Sequence, residues 1–188
     1  MQKYRRETLR PLRAARVAVL APNPAIPGTL LVPLTKGYSA IIDAADAEAV
    51  SAHLWHAMVR PDNSRTVYAA KATGDQKRLH QFLWTAWGNP PTPEIDHRNG
   101  NGLDCRRENL RAATRAENAQ NQGLSSANTS GAKGIRLRPS GRWEAVITVG
   151  GKQRFLGTFA ERAAAIRAYD AAALAARGEF ARTNEEVR

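Results

Sequence analysis

Residues 94–121 read EIDHRNGNGLDCRRENLRAATRAENAQN. In this stretch a carboxylate stands next to an imidazole, Asp96-His97, at the end of a short apolar run. Asn109 follows in a polar loop, and Asn118 and Asn121 fall on a segment with helical character. Brought together, an imidazole can take a proton from water while a carboxylate and an amide oxygen hold a hard cation. That is the equipment of a one-metal phosphodiesterase, so these residue types point to cutting DNA.

The elements that must position them are legible around them. Ile95 between Glu94 and Asp96 predicts a short strand carrying Asp96 and His97 in succession. Consecutive strand residues face opposite ways, so both reach one cation only if the strand ends or bends there. Asn99-Gly100-Asn101-Gly102 supplies suitable turn chemistry. Residues 110–113 return as a second strand. Thr114 and Glu117 then have the capping-box pattern, N-cap and N3, which puts Asn118 in the first turn of a helix and pointing back to the hairpin.

The segment closely resembles the HNH nuclease family, above all its phage and intron-borne homing endonucleases. Asp96-His97, Asn109-Leu110 and Thr114 to Asn118 match that family's D-H, N-L and T-x-x-E-N, and Ile42-Asp43, Trp55, Tyr68 and Leu79-His80 fall in its upstream order. The resemblance implies a ββα-metal fold in which His97 is the general base and Asp96 and Asn118 are metal ligands. It implies that Asn109 holds the loop and the histidine in place, with Asn121 a lesser candidate for support. One ion per site follows, Mg²⁺ or Mn²⁺, because an amide oxygen in place of imidazole at the third motif position suits a hard cation better than zinc. The products carry 5′-phosphate and 3′-hydroxyl ends. Arg98, Arg106, Arg107 and Arg111 are open to two readings, solvated charge or phosphate contact.

Composition agrees with a nucleic-acid partner. The chain has 188 residues, enough for one or two domains, and its 43% hydrophobic and 24% charged content is that of a globular protein. A net charge of +11 and a pI near 10.6 favour a polyanion. Cys105 is the single cysteine, which excludes an intramolecular disulfide and a multi-cysteine zinc site. No run approaches the roughly 20 apolar residues of a membrane span. The apolar run at 17–21 is too short for a secretory core and is broken by Pro22, Pro24 and Pro27, so the expected location is cytoplasmic.

Before the reactive segment, residues 1–28 read as a basic arm with a short helix around 11–19. Residues 30–43 predict two strands about a Lys36-Gly37 turn, followed by a helix through Glu48, Val50 and Leu54 capped by Asp43 or Asp46. Residues 67–70 predict a strand, Gly74-Asp75 a turn, and residues 79–87 an aromatic helix ended by Gly88. His53 and His56 lack a third ligand at metal spacing, and His80 is open to two readings, a packing histidine, which is favoured, or a direct catalytic one.

After a small polar linker at 123–131, three strands are expected over 133–138, 142–149 and 152–156, with a hairpin turn at Gly150-Gly151. A helix over 161–177 closes at Gly178, with Phe159, Ala163, Ile166, Tyr169, Ala173 and Ala176 as its apolar stripe. The sheet face away from the helix can enter a major groove. This region resembles the AP-two/ERF-type DNA-binding domain. The resemblance puts Arg136, Arg138, Glu144, Gln153 and Phe155 at DNA-facing positions and Lys133 and Arg142 near phosphates. Ser140 and Thr148 depart from the plant pattern, so no plant target sequence carries over.

The reading is therefore an α+β chain. It divides into an arm (1–28), an HNH nuclease domain (29–122, catalytic core about 92–122), a linker (123–131) and an AP-two/ERF-type domain (132–184). Its expected activity is metal-dependent hydrolysis of double-stranded DNA, of the homing type, by a phage- or mobile-element-encoded protein that acts as a monomer away from membranes. The alternatives are a non-catalytic DNA-binding or regulatory protein using the nuclease fold as a scaffold, and an RNA-binding protein, which narrow A-form grooves disfavour.

Overall fold

The computed structural model describes residues 18–59, 66–72, 77–125 and 127–186. The turn expected at Gly74-Asp75 and most of the helix expected at 11–19 lie outside them. The architecture is mixed α+β with several small antiparallel sheets and few helices. Strands β1 (Ala21–Pro22), β2 (Thr29–Pro33) and β3 (Ser39–Asp43) form the first sheet. The expected Lys36-Gly37 turn closes β2 to β3, both residues with positive φ. The last part of the expected arm belongs to this sheet, since β1 pairs with β2 and the Ala18 N–H donates to the Ser51 carbonyl at 3.2 Å.

The helix expected through Leu54 is shorter, α1 (Ala47–Ser51). Asp46, at its N-cap, accepts from Trp87 Nε1 at 2.8 Å instead of capping the helix. The chain then forms β4 (Trp55–Val59), a strand absent from the expectation, paired with β5 (Val67–Lys71). Trp55 and Ala57 alternate inward with His56 and Met58, which is the period of a half-buried strand. Helix α2 (Leu79–Ala86) lies where it was expected and ends at Gly88 with φ 72°. Val32, Ile42, Val50, Trp55, Leu79, Leu83, Cys105 and Leu110 make the core beneath these elements.

Strands β6 (Glu94–His97) and β7 (Leu110–Ala113) pair antiparallel, with Asp96 opposite Arg111 and His97 opposite Leu110. Helix α3 (Arg115–Gln120) follows with the expected capping box: Thr114 Oγ1 accepts from the Glu117 N–H at 3.2 Å, and Glu117 Oε2 accepts from the Thr114 N–H at 2.7 Å. The long loop between the strands is tied to β3, where the Cys105 N–H donates to the Ile41 carbonyl.

A second core lies further on. Strands β8 (Ile135–Leu137), β9 (Trp143–Val149) and β10 (Lys152–Phe159) stand in the order β10-β9-β8, with α4 (Arg162–Arg177) on one face. The helix buries Ala165, Tyr169 and Ala173, while Ala163 and Ala176 are exposed. Phe159, Ile166, Tyr169 and Ala173 of the expected stripe pack on the sheet, and Ala165 joins them because the i, i+4, i+8 row centred on the bulky Tyr169 meets Ile135, Ala145 and Ile147. Among the described residues no helix is long and apolar enough to cross a membrane.

Leu83 is fully buried at the centre of the first core. Leu83→Ala is expected to lower unfolding free energy by about 2–5 kcal/mol in urea titrations, whereas exposed Leu137→Ala changes it by less than about 0.5 kcal/mol.

Candidate active site

The β6–β7 hairpin carries the reactive residues on two faces. On one, Arg111 donates to Asp96 Oδ2 from Nε at 2.8 Å and from Nη2 at 2.7 Å, both side chains being buried. Asn121, just past α3, donates its Nδ2 to Asp96 Oδ1 at 2.9 Å and to the His97 carbonyl at 2.7 Å. The outer end of Arg111 is held by the C-terminal segment: Nη1 donates to the Glu179 carbonyl at 2.6 Å, and the guanidinium lies 3.8 Å from the Phe180 ring centroid.

Strand β6 stays extended through His97, so alternation sends that ring to the other face. There it meets His80 edge-on, with centroids 4.9 Å apart, and Tyr68 at 5.8 Å. His97 Nε2 and His80 Nδ1 are buried with no hydrogen-bond partner. Burial pushes the His97 imidazole down to about 4, against a weaker upward pull from Asp96 and Asp104. Burial also lowers His80 well below its ordinary value, and His97 and Arg78 add to the shift. Both rings are neutral at pH 7.

Asn109 spans the loop: its Oδ1 accepts from the Asn99 N–H at 3.0 Å and its Nδ2 donates to the Asp104 carbonyl at 2.7 Å. Asn118 turns its Nδ2 to Glu94 Oε2 at 3.5 Å and lines a small pocket of about 80 Å³ with Tyr68, Arg78, His80 and Glu94. The structure therefore links His97 and Asn118 through His80, but Asp96 and Asn118 have separate partners. Asn121 is the amide on Asp96. Among the described residues no cluster of three or more His, Cys, Asp or Glu could hold a metal.

The arginines left open by the sequence are taken up by protein groups. Arg98 pairs with Glu179 at 2.8 Å, Arg106 with Asp104 at 2.8 Å and with Glu108, and Arg107 lies over Trp87 at 4.4 Å. His53 packs edge-on against Trp55 and Phe82.

On the C-terminal sheet, Glu144 is 3% exposed although it lies on the face away from α4. It is covered by Arg136 Nε on Oε1 at 2.8 Å and Arg138 Nε on Oε2 at 2.7 Å. Gln153 and Phe155 are on the same face opposite Thr148 and Val146, with Phe155 66% exposed. Arg142 donates to the Thr158 carbonyl at 3.0 Å. Lys133 points inward instead, donating Nζ to the Gln120 and Gln122 carbonyls at 3.1 and 2.8 Å. Burial lowers it to about 8, with Arg177 and Arg182 adding. Arg111, Glu94, Glu179 and Phe180 were missed as site residues. The signal for Arg111 is the hairpin register, which places it opposite Asp96 once both strand ends are known.

Comparison with known proteins bears on the same stretch. Residues 77–120 match the family described as HNH endonuclease. The chain carries an HNH endonuclease segment. It is 39% identical over 80 residues to Protein 3.8 of Escherichia phage T7, which is 40% of this chain and 65% of that protein. The C-terminal region is similar to plant AP2/ERF proteins. It is 50% identical over 58 residues to the ethylene-responsive transcription factor ERF084 of Arabidopsis thaliana, covering 30% of this chain and 23% of that one. Against the ethylene-responsive transcription factor ERN1 of Medicago truncatula it is 49% identical over 61 residues, covering 31% and 23%. The chain thus spans less than two thirds of the length of these relatives. No solved structure matches it.

The neutral His97 of the HNH segment makes folding depend on pH. In the unfolded chain it takes a proton near 6.5, in the folded one near 4. The unfolded state binds more protons between these values, so stability is full above about 6.5 and falls as pH drops towards 4, by about 3 kcal/mol at most. Melting temperature should fall from pH 7 to pH 5, and less steeply in a His97→Phe variant.

Proposed function

We propose that this protein is a metal-dependent DNA endonuclease of the homing type. In this reading residues 29–122 cut, residues 132–184 bind DNA, and residues 123–131 join them. The observation that carries the reading is His97, a buried, neutral imidazole with an unpartnered Nε2 inside the matched HNH segment. An imidazole in that state is uncharged at neutral pH, as a base must be before it takes a proton, and burial weakens its hold on that proton.

HNH nucleases as a family use divalent metal ions, and the donor chemistry here suits a hard one. The proposed ligands, the Asp96 carboxylate and the Asn118 amide oxygen, are oxygen donors, and the contact of Asn118 with Glu94 uses only its nitrogen. Arg111 stands against loading, since a cation on Asp96 competes with a guanidinium 2.7 Å away. Mg²⁺ or Mn²⁺, when bound, polarises the phosphate and stabilises the departing oxygen. His97 takes the proton from the attacking water. The water oxygen bonds to phosphorus as the P–O3′ bond breaks, and O3′ takes a proton from solvent. The products are a 5′-phosphate and a 3′-hydroxyl.

DNA as partner is supported by the net charge and by similarity of the C-terminal region to DNA-binding transcription factors. On its sheet, Glu144 holds Arg136 and Arg138 in place, which lowers the entropy lost when they meet base edges. One copy of the motif fits a monomer that nicks.

The buried Asp96–Arg111 pair favours a second reading, a DNA-binding protein with the nuclease fold as a scaffold. Supercoiled plasmid with Mg²⁺ or Mn²⁺, with and without chelator, decides between them. Relaxed or linear product only with metal is expected, and binding without product on any DNA sinks the nuclease reading. His97→Ala should retain DNA affinity within about threefold and lose cleavage by about 10²–10⁴-fold. Cutting at the parent rate would show that His97 is not the base.

A further inference from the structure

A phosphodiester held for attack needs a cationic donor on its non-bridging oxygens, and most guanidinium groups around the hairpin are already committed. Arg98, Arg106 and Arg111 are paired with Glu179, Asp104 and Asp96. Arg107 lies over Trp87 beside Asp43, Asp46 and Glu108. Arg115, 94% exposed, approaches only Glu94, at 4.0 Å. Arg78, like Arg107, has no carboxylate paired with its guanidinium among the described residues, and of these arginines it is the one that lines the small pocket beside His80 and Asn118.

Its placement is fixed at both levels. The backbone bridges to Ala70 on β5, and its N–H donates to Gln81 Oε1 at 3.2 Å. The guanidinium lies over the Tyr68 ring, 5.1 Å from the centroid. Arg78 stands at the N-cap of α2, where the partial positive charge of the helix end adds to its own. It shares the small pocket with His80 and Asn118, so its charge faces the space next to the His80–His97 pair. His80, which also lines the pocket, has a buried ring nitrogen without a hydrogen-bond partner.

Resting on the nuclease reading, we propose that Arg78 holds the phosphate to be cut, in the pocket it shares with His80 and Asn118. The space admits one tetrahedral phosphate group and no base. Glu94, which also lines the pocket, repels a free anion, so the seat takes a phosphate presented by bound DNA in preference to inorganic phosphate. Arg78 neither gives nor takes a proton; it neutralises charge on the non-bridging oxygens as the P–O3′ bond breaks.

The test uses the full chain as parent, Arg78→Ala, Arg78→Lys and, as an exposed control, Arg115→Ala. Cleavage of plasmid is measured alongside DNA affinity at several salt concentrations. For Arg78→Ala the expected result is cleavage slowed about 10²-fold or more and affinity reduced no more than about tenfold. The slope of log affinity on log salt should fall by about one. Arg78→Lys, which keeps the charge but not the fork, should restore part of the rate and the whole salt slope. Melting curves identify a misfolded variant, and Arg78→Lys then carries the comparison through its rate. Cleavage and slope both unchanged in Arg78→Ala and in Arg78→Lys would overturn the seat and leave the nuclease reading standing. A parent that never cuts, with a slope that still drops in Arg78→Ala, would overturn the nuclease reading and leave a phosphate contact.

Discussion

Arg111 joins the hairpin to the C-terminal segment from a buried position, beneath the exposed Arg98–Glu179 pair. Its Nε and Nη2 hold Asp96 across the hairpin, and its Nη1 and flat face receive Glu179 and Phe180 from the C-terminal segment. A buried ion pair is a poor source of net stability, because desolvation offsets much of the attraction. Its value lies in what it forbids. Removing either partner would leave an uncompensated buried charge, so the register of β6 on β7 and the seat of the C-terminal segment are specified together. Asn121 completes the arrangement by linking α3 to Asp96 and to the His97 carbonyl. The hairpin, the helix and the chain end are thus held by one carboxylate.

The same arrangement explains why the reactive pair does not act as a pair. Two adjacent residues on an extended strand cannot face the same ion, and β6 does not bend until after His97. Asp96 is spent on architecture in this structure, and His97 faces an aromatic wall of His80 and Tyr68. Burial that would be costly for a charged imidazole is tolerable for a neutral one, and neutrality is what a base needs at pH 7. Packing and the proposed chemistry ask the same thing of His97, an uncharged ring.

Local chemistry in the sequence was a good guide where local rules decide. The capping box at Thr114 and Glu117, the return strand at Leu110–Ala113, the Lys36-Gly37 turn and the end of α2 at Gly88 follow from turn and cap chemistry and stand in the structure. Pairing was harder to read. Strand β4 was hidden because Trp55–Val59 follows a helical pattern and gains its strand character only from β5. The middle of the α4 stripe, Ile166, Tyr169 and Ala173, is legible, while Ala163 and Ala176 turn outward and Ala165 inward because alanines carry little directional signal. For the site, the spacing identified His97, Asn109 and Asn118 as residues of interest. It could not assign partners, since whether Asn118 or Asn121 reaches Asp96 depends on how far α3 slides along the hairpin. Lys133 illustrates the same limit: a lysine beside a basic sheet reads as a phosphate contact, yet free carbonyls at the end of α3 bind it first.

The two halves of the chain handle their positive charge by one rule with different results. Around the hairpin, Arg98, Arg106 and Arg111 are matched by Glu179, Asp104, Glu108 and Asp96, which neutralises them and builds structure. On the C-terminal sheet a single buried acid, Glu144, serves both Arg136 and Arg138, so the three groups together keep one net positive charge, and both arginines stay about half exposed. A carboxylate shared between two guanidinium groups orders them without cancelling them. Such a surface attracts a polyanion while presenting its donors in fixed directions, which a row of free lysines does not do. Charge is thus consumed where the fold must be specified and kept on the face of the C-terminal sheet.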